Sequence, residues 1–178
     1  MIARIIDWWR EISLPMSHHR RIRAARRTLD LLNGWLRQDG DHAAPRVFGY
    51  LRKVDPLVFE ELVIEAFRRA GVRVQRGHRY SGDGGVDGHV RYAGHWCPVQ
   101  MKRYQSAINP GHVHDFSRIV ERTRAPRGYF VHCGRTGDAS WEARGSAVQM
   151  ISGHRLIALL QGRLQPAWRI TSAGSKIP

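Results

Sequence analysis

The stretch SGDGGVDGHVRYAGHWCPVQMKRY, residues 81–104, decides the fold of this chain. Its glycine-rich start is followed by two strand-like segments, Val86 to Tyr92 and His95 to Lys102, which the pair Ala93-Gly94 separates. Two-residue connections of this kind form tight turns between antiparallel strands. The sequence therefore predicts a β-hairpin centred on Ala93-Gly94.

The register of this hairpin determines which side chains share a face. Symmetry about the turn places Asp87 opposite Gln100, and Lys102 lies two residues further along on the same face. Side chains in such positions lie about 4.5–7 Å apart, unless a bulge changes the register. The other face is apolar and is predicted to enter the core: Val86, Val90, Cys97, Val99 and Met101.

A helix is predicted just before this region. Asp55 is a good N-cap, Pro56 suits the first helical position, and the helix should run to Ala70 and stop at Gly71. Its apolar residues centre on one face: Phe59, Leu62, Val63, Ala66, Phe67 and Ala70. Glu60 lies at the border of that face, where a carboxylate can line a cleft, whereas Glu61 and Glu65 are expected to point away.

The remaining pattern alternates between strands and helices, which predicts an α/β fold with a mixed sheet flanked by helices. The tail Thr171 to Pro178 is expected to be frayed. The predicted strands are Val72 to Arg76, Gly128 to His132 and Val148 to Ile151, and the predicted helices are Pro110 to Arg124, Gly137 to Ala147 and His154 to Gln161.

The first 54 residues resemble a basic helical extension. Between His18 and Leu36 the apolar residues recur at helical spacing: Ile22, Ala25, Leu29, Leu32 and Leu36. The first half of this helix carries Arg20, Arg21, Arg23, Arg26 and Arg27. This pattern fits a helix docked on the main domain, a helix that contacts phosphates, or a helix at a membrane surface. Asn33-Gly34 and the stretch Gln38 to Pro45 are expected to break it. The predicted division is an extension at 1–54, a main domain at 55–165 and a tail at 166–178.

The charge of the chain favours a polyanionic partner. Lys and Arg number 29 against 15 Asp and Glu, which gives a net charge of +14. Nucleic acid is the first expectation and an anionic membrane surface the second. Uncharged windows long enough for a membrane span are absent from the sequence. Cys97 and Cys133 have neither metal-site spacing nor disulfide density, so the expected location is the cytoplasm.

Four polar side chains are predicted to converge: Glu60 from the helix, Asp87 from one strand, and Gln100 and Lys102 from its neighbour. Carboxylate and amide oxygens suit Mg²⁺, and the Met101 carbonyl could add a further ligand. Lysine supplies a cation beside the metal. Phosphodiester hydrolysis needs these parts, since charge on the phosphoryl group must be offset and a water must be activated.

Several motifs in this chain resemble those of the Mrr-like restriction endonuclease catalytic domain, which has the PD-(D/E)xK nuclease fold. The resemblance covers about residues 55 to 161. The motifs are Asp55-Pro56-x-x-Phe59-Glu60, Gly71, the run Ser81-Gly82-Asp83-Gly84-Gly85-Val86-Asp87-Gly88, Val99-Gln100-x-Lys102-Arg103-Tyr104, Gly128-Tyr129-Phe130-Val131, and Met150-Ile151-Ser152-Gly153-His154-Arg155-Leu156.

The resemblance implies cleavage of DNA that depends on Mg²⁺, or on Mn²⁺ in its place, by in-line attack of water that leaves 5′-phosphate ends. It implies a principal metal ligand at Asp87, a metal-binding Gln100 in place of the more widespread Glu, a catalytic Lys102 and a helix acid at Glu60. A restriction activity of type IV on modified DNA is the expected role, and a homodimer is the simplest way to cut two strands.

Further roles are expected around this site. Arg103 and the five arginines of the N-terminal helix are candidates for DNA binding. Asp83, Gly84 and Gly85 are expected to support the loop, although Asp83 could instead be a second acid near the metal. His112 and His114 are a weak metal pair, because their spacing on a helix points the rings apart. Two alternative functions are a DNA-binding module with little or no catalysis and a structure-selective nuclease for branched DNA.

Overall fold

The computed structural model describes residues 16–77 and 85–163. Helices and strands alternate after a helical start. In chain order they are α1 Met16–Asp39, a 3₁₀ helix Gly40–Ala43, α2 Ala44–Leu51, α3 Pro56–Arg69, β1 Val74–Arg76, β2 Gly88–Tyr92, β3 His95–Lys102, α4 Pro110–Thr123, β4 Gly128–His132, α5 Asp138–Glu142, β5 Val148–Ile151 and α6 Gly153–Leu160.

The strands form one mixed sheet in the order β1-β2-β3-β4-β5. The pairs β1-β2 and β2-β3 are antiparallel, whereas β3-β4 and β4-β5 are parallel. Ala93 and Gly94 both have positive φ angles, 45° and 84°, as a two-residue hairpin turn requires. The pairing of Gly88 with Val99 confirms the predicted hairpin register, although β2 begins two residues later than expected.

Hydrophobic clusters cover both faces of the sheet, which confirms the predicted α/β layering. The larger cluster joins one face to α1, α2, α3 and α6, and the smaller one joins the other face to α4. Val99 and Met101 belong to the larger cluster, as predicted. The placement of Val86 on that face was wrong: Val86 packs against the smaller cluster. It precedes β2, so the alternation of the strand does not apply to it.

Helix α3 begins as its sequence predicts. The Asp55 side chain accepts hydrogen bonds from the backbone N–H groups of Leu57 and Val58 at 3.0 and 3.1 Å, and Pro56 occupies the first turn. Glu60 is half-buried, in agreement with its border position.

The expected outward orientation of Glu61 was wrong. Its side chain is only 3% exposed and lies 2.9 Å from Arg76 Nε and 3.1 Å from His18 Nε2. Glu65 is partly covered and pairs with Arg26 and Arg69 at 3.3 and 3.2 Å. The physical reason is that α1 packs across this face of α3, which a helical wheel of α3 alone does not reveal.

Helix α1 is longer than predicted, and its expected break at Asn33-Gly34 was wrong. Asn33 Nδ2 donates to the carbonyl groups of Leu29 at 3.0 Å and Leu160 at 2.9 Å, which ties α1 to α6. The five apolar residues named above are buried, and four of them share the core of α3. The division into an extension and a main domain at residue 54 therefore stays a prediction. The hydrophobic core is continuous across that residue.

The C-terminal half follows the predicted order. Strands β4 and β5 have their predicted bounds, but α5 ends at Glu142 rather than Ala147. Its early end allows the Gly145 backbone N–H to donate to Ser117 Oγ at 2.7 Å. The predicted frayed tail lies outside the described residues. Among the described residues, none of the helices has the length and apolar character needed to cross a bilayer.

Candidate active site

Glu60, Asp87 and Lys102 lie close enough for their charges to act on one another, and the hairpin register adds Gln100 to this group. Glu60 comes from the second turn of α3, Asp87 directly precedes β2, and Gln100 and Lys102 lie at the end of β3. The hairpin register brings Asp87 level with Gln100, and α3 packs against β3.

Asp87 is fixed by three hydrogen bonds. Its backbone N–H donates to the Val99 carbonyl at 2.9 Å, and its carbonyl accepts from the Gly77 N–H at 2.9 Å. Its side-chain Oδ2 accepts from the Met101 N–H at 2.6 Å. The carboxylate is therefore folded back onto the end of β3, with its orientation set by the backbone of the neighbouring strand.

Gln100 is buried, and its amide oxygen stands out. Its Oε1 has no hydrogen-bond partner among the described residues. A buried polar atom without a partner ordinarily lowers the stability of the folded protein. Its Nε2 lies against Gly85, where an added Cβ would come within 2.7 Å. Gly85 also has a φ of +94°, so both its conformation and its neighbour favour glycine. This glycine supports the site; Asp83 and Gly84 lie outside the described residues.

The carboxyl groups and Lys102 interact electrostatically. Burial raises the pKa of Glu60 to about 8, with further contributions from the negative charges of Asp87 and Glu61, while Lys102 and Arg21 oppose the rise. Burial raises the pKa of Asp87 to about 6, against the opposing effects of the Met101 hydrogen bond and Lys102. Glu60 therefore holds its proton more tightly than Asp87 does.

These residues fit a hard divalent cation. A cation would offset the cost of two buried carboxylates and would give Gln100 Oε1 a partner. Within residues 16–77 and 85–163, no group of three or more His, Cys, Asp and Glu side chains could hold a metal ion. The Gln100 amide and the Met101 carbonyl therefore both stay predicted ligands beside the two carboxylates.

The basic residues predicted to bind DNA occupy two different settings. Arg20, Arg23, Arg26 and Arg27 are exposed on α1, whereas Arg21 is half-buried and close enough to lower the pKa of Glu60. Arg103 Nη1 donates to the Arg52 carbonyl at 2.9 Å and so holds the end of α2. Arg103 therefore has a structural role at the end of α2, and its role in DNA binding remains a prediction.

Two neighbours of the site were missed by the sequence interpretation. Arg21 was expected to lie on a DNA-binding face, and its approach to Glu60 has no signal in the sequence, because it depends on how α1 packs on α3. Tyr104 lies within a quoted motif, but its hydrogen bond to His112 depends on the path of residues 103–109. His112 itself makes no pair with His114, which is exposed beside Asp115.

One of three comparisons with known proteins found a match. A model of the Mrr catalytic-domain family, described as a restriction endonuclease, matches residues 51–160. The matched segment runs from the end of α2 to the end of α6 and contains all four converging residues. Neither a curated protein nor a solved structure matches the chain.

Proposed function

The chain belongs to the Mrr-type restriction endonuclease family, and from this premise we propose that it hydrolyses DNA phosphodiester bonds with the aid of Mg²⁺, for which Mn²⁺ can substitute. The proposed residues are Glu60, Asp87, Gln100 and Lys102. A restriction endonuclease domain implies DNA as the substrate, and the net charge of +14 suits a polyanion.

The observation that carries the proposal is the buried amide oxygen of Gln100 beside the carboxylate of Asp87. A structural glutamine in a core would have its oxygen paired. Here Gln100 Oε1 has no hydrogen-bond partner among the described residues. It lies level with the Asp87 carboxylate, which the Met101 N–H holds in place. Such an arrangement is expected of a site that a cation completes.

Asp87, Gln100, Glu60 and the Met101 carbonyl are the residues proposed to hold the ion. When bound, Mg²⁺ supplies electrostatic stabilisation of the phosphoryl group and activation of a water. Asp87 supplies a fixed negative charge, and Glu60 supplies a second one once its proton is displaced. Lys102 supplies a positive charge near both carboxylates, where it can orient a water and stabilise the extra negative charge of the transition state.

The first prediction concerns plasmid nicking in the presence of Mg²⁺. Asp87→Ala and Lys102→Ala should each reduce the nicking rate about 10²–10³-fold, as expected for the loss of a preorganised charge. The matched control is Lys53→Ala, because Lys53 is an exposed lysine on the segment before α3. Equal residual nicking by the wild type and both site variants would reject the nuclease proposal and favour the DNA-binding module.

Target choice is a finer part of the proposal. We propose modified duplex DNA as the substrate, in line with a type IV restriction role, and a homodimer in the cytoplasm as the acting form. A panel of methylated duplex, unmodified duplex and branched DNA at matched salt tests the first point. Faster cleavage of the branched DNA would instead favour the structure-selective nuclease, and sedimentation of the protein with and without DNA tests the dimer.

A further inference from the structure

Tyr104 and His112 form a hydrogen-bonded pair beside the Lys102 side chain. The distance between Tyr104 Oη and His112 Nδ1 is 2.7 Å. Tyr104 follows Lys102 by two residues, and His112 lies in the first turn of α4. The pKa of His112 is lowered first by burial and second by the positive charge of Lys102. The imidazole therefore lies within the field of that ammonium group.

The protons of the pair are assigned from its chemistry. Burial raises the pKa of Tyr104 to about 12, so its hydroxyl keeps its proton at neutral pH, and we assign this hydroxyl as the donor to His112 Nδ1. A neutral imidazole has one N–H group, which must then lie on Nε2. Nε2 has no hydrogen-bond partner in the part of the chain that the structure describes, and it is not a buried atom. His112 therefore presents a single N–H donor to solvent.

Backbone hydrogen bonds and close packing surround the pair. The connection after β3 is bonded to the connection after β4: the Ile108 N–H donates to the Arg135 carbonyl, and the Arg135 N–H donates to the Ser106 carbonyl, each at 3.0 Å. Tyr104 packs against Gly134, where an added Cβ would lie 2.8 Å from the tyrosine Cβ. Cys133 Sγ also donates to the Tyr104 carbonyl at 3.4 Å. These contacts hold Tyr104, and its hydrogen bond in turn orients the His112 ring.

We propose that His112, oriented by Tyr104, binds the DNA backbone by donating its Nε2–H to a phosphate oxygen adjacent to the phosphate that Lys102 contacts. The inference rests on the proposed function, because it takes Lys102 as the residue at the cleaved phosphate. Tyr104 is a positioning residue in this scheme, since it acts through the imidazole and does not touch the DNA.

The test measures binding rather than cleavage. Fluorescence anisotropy with a labelled unmodified duplex in EDTA, over a series of NaCl concentrations, gives Kd and its salt dependence for the full chain. We expect His112→Ala to weaken binding about tenfold, as for the loss of a hydrogen bond to a charged group. The slope of log Kd against log salt should not change, because a neutral donor displaces no counterion.

Two further variants separate a DNA contact from a structural effect. His112→Gln keeps an N–H donor at a similar reach and should bind nearly as the wild type does. His114→Ala removes an exposed histidine from the same helix and should leave Kd unchanged. Wild-type affinity in His112→Ala, an equal loss in His112→Gln, or a change of about one in the salt slope would overturn the proposal.

A double-mutant cycle tests the role of Tyr104. Tyr104→Phe should weaken binding in the wild-type background but not in the His112→Ala background, since the two side chains act as one unit. The same loss in both backgrounds would overturn the positioning role. Plasmid nicking by the wild type is measured in parallel with Mg²⁺: no nicking together with the expected binding pattern would reject the nuclease activity and still support the DNA contact.

Discussion

At the scale of single residues, the site depends on where the Gln100 amide lies. Gly85 leaves room for it, because a Cβ at this position would come within 2.7 Å of Gln100 Nε2. The Met101 N–H places the Asp87 carboxylate at the same level. One glycine and one backbone donor thus set the geometry of two proposed metal ligands.

The second prediction uses two glycines that share a positive φ. Gly85→Ala should reduce nicking about tenfold or more, since displacement of a ligand by a fraction of an ångström is costly in a preorganised site. Gly94→Ala is the matched control: Gly94 has a φ of +84°, but nothing lies within 4 Å of an added Cβ. Both variants carry conformational strain, whereas only the first disturbs Gln100. Equal activity of the two variants would contradict this role for Gly85.

The third prediction concerns pH and the Glu60 carboxyl group. Its folded pKa of about 8 lies above the ordinary value of 4.5, so the folded state binds more protons between these pH values, and stability falls as pH rises through them. Glu60→Gln removes this contribution. In EDTA, its thermal midpoint should exceed that of the wild type by several degrees at pH 8 and by little at pH 4.5, given about 2–4 °C per kcal/mol in a chain of this size.

Glu142→Gln provides the control for that experiment, because Glu142 is an exposed acid on α5. Its melting curves should follow the wild type at every pH. If the thermal midpoints of Glu60→Gln and the wild type differ by the same amount at every pH, the charge of Glu60 does not oppose folding.

At the scale of elements, the packing of α1 on α3 gives neighbouring acids opposite environments. Glu61 is enclosed between His18 and Arg76, whereas Glu65 pairs with the more exposed Arg26 and Arg69. Removal of one partner of a buried ion pair leaves an uncompensated charge, while a pair in contact with water contributes little.

The fourth prediction compares these two acids. Glu61→Ala should lower the free energy of unfolding by about 3–5 kcal/mol, because the largely buried Arg76 would lose the carboxylate that lies 2.9 Å from its Nε. Glu65→Ala should cost less than about 1 kcal/mol. Urea unfolding followed by circular dichroism measures both values. Similar losses in the two variants would show that the burial of Glu61 does not govern its contribution.

At the scale of the whole molecule, the core extends beyond the segment that matches the family. Leu29 and Leu32 of α1 are fully buried in the same cluster as Phe59 of α3. Burial of such a side chain contributes about 1.5–3 kcal/mol. Several of them together approach the net stability of a typical domain, about 5–15 kcal/mol.

The fifth prediction follows from this shared core. A chain that lacks residues 1–43, and hence α1, should lose cooperative thermal unfolding and bind a hydrophobic dye, although it keeps the whole matched segment. In the full chain, Leu29→Ala should cost about 2–5 kcal/mol, and Leu31→Ala should cost little, because Leu31 is 42% exposed. An unchanged melting midpoint after the deletion would show that α1 is a separable extension.

The features that could be predicted from the sequence are those that depend on near neighbours along the chain. Ala93-Gly94 defines the hairpin register, Asp55-Pro56 starts α3, and the alternation of Val99, Gln100 and Met101 assigns the two faces of β3. Turn geometry, capping and strand periodicity act over a few residues, so their signals are present in the sequence itself. They were sufficient to bring Asp87 level with Gln100.

Other features were decided by contacts between distant segments. The burial of Glu61, the continuation of α1 through Asn33, and the approach of Arg21 to Glu60 all follow from the packing of α1 against α3 and α6. A helical wheel shows which face of a helix is apolar, but not which second helix will cover its polar border. The tertiary structure alone decided these environments, because desolvation and ion pairing depend on what fills the space around a side chain.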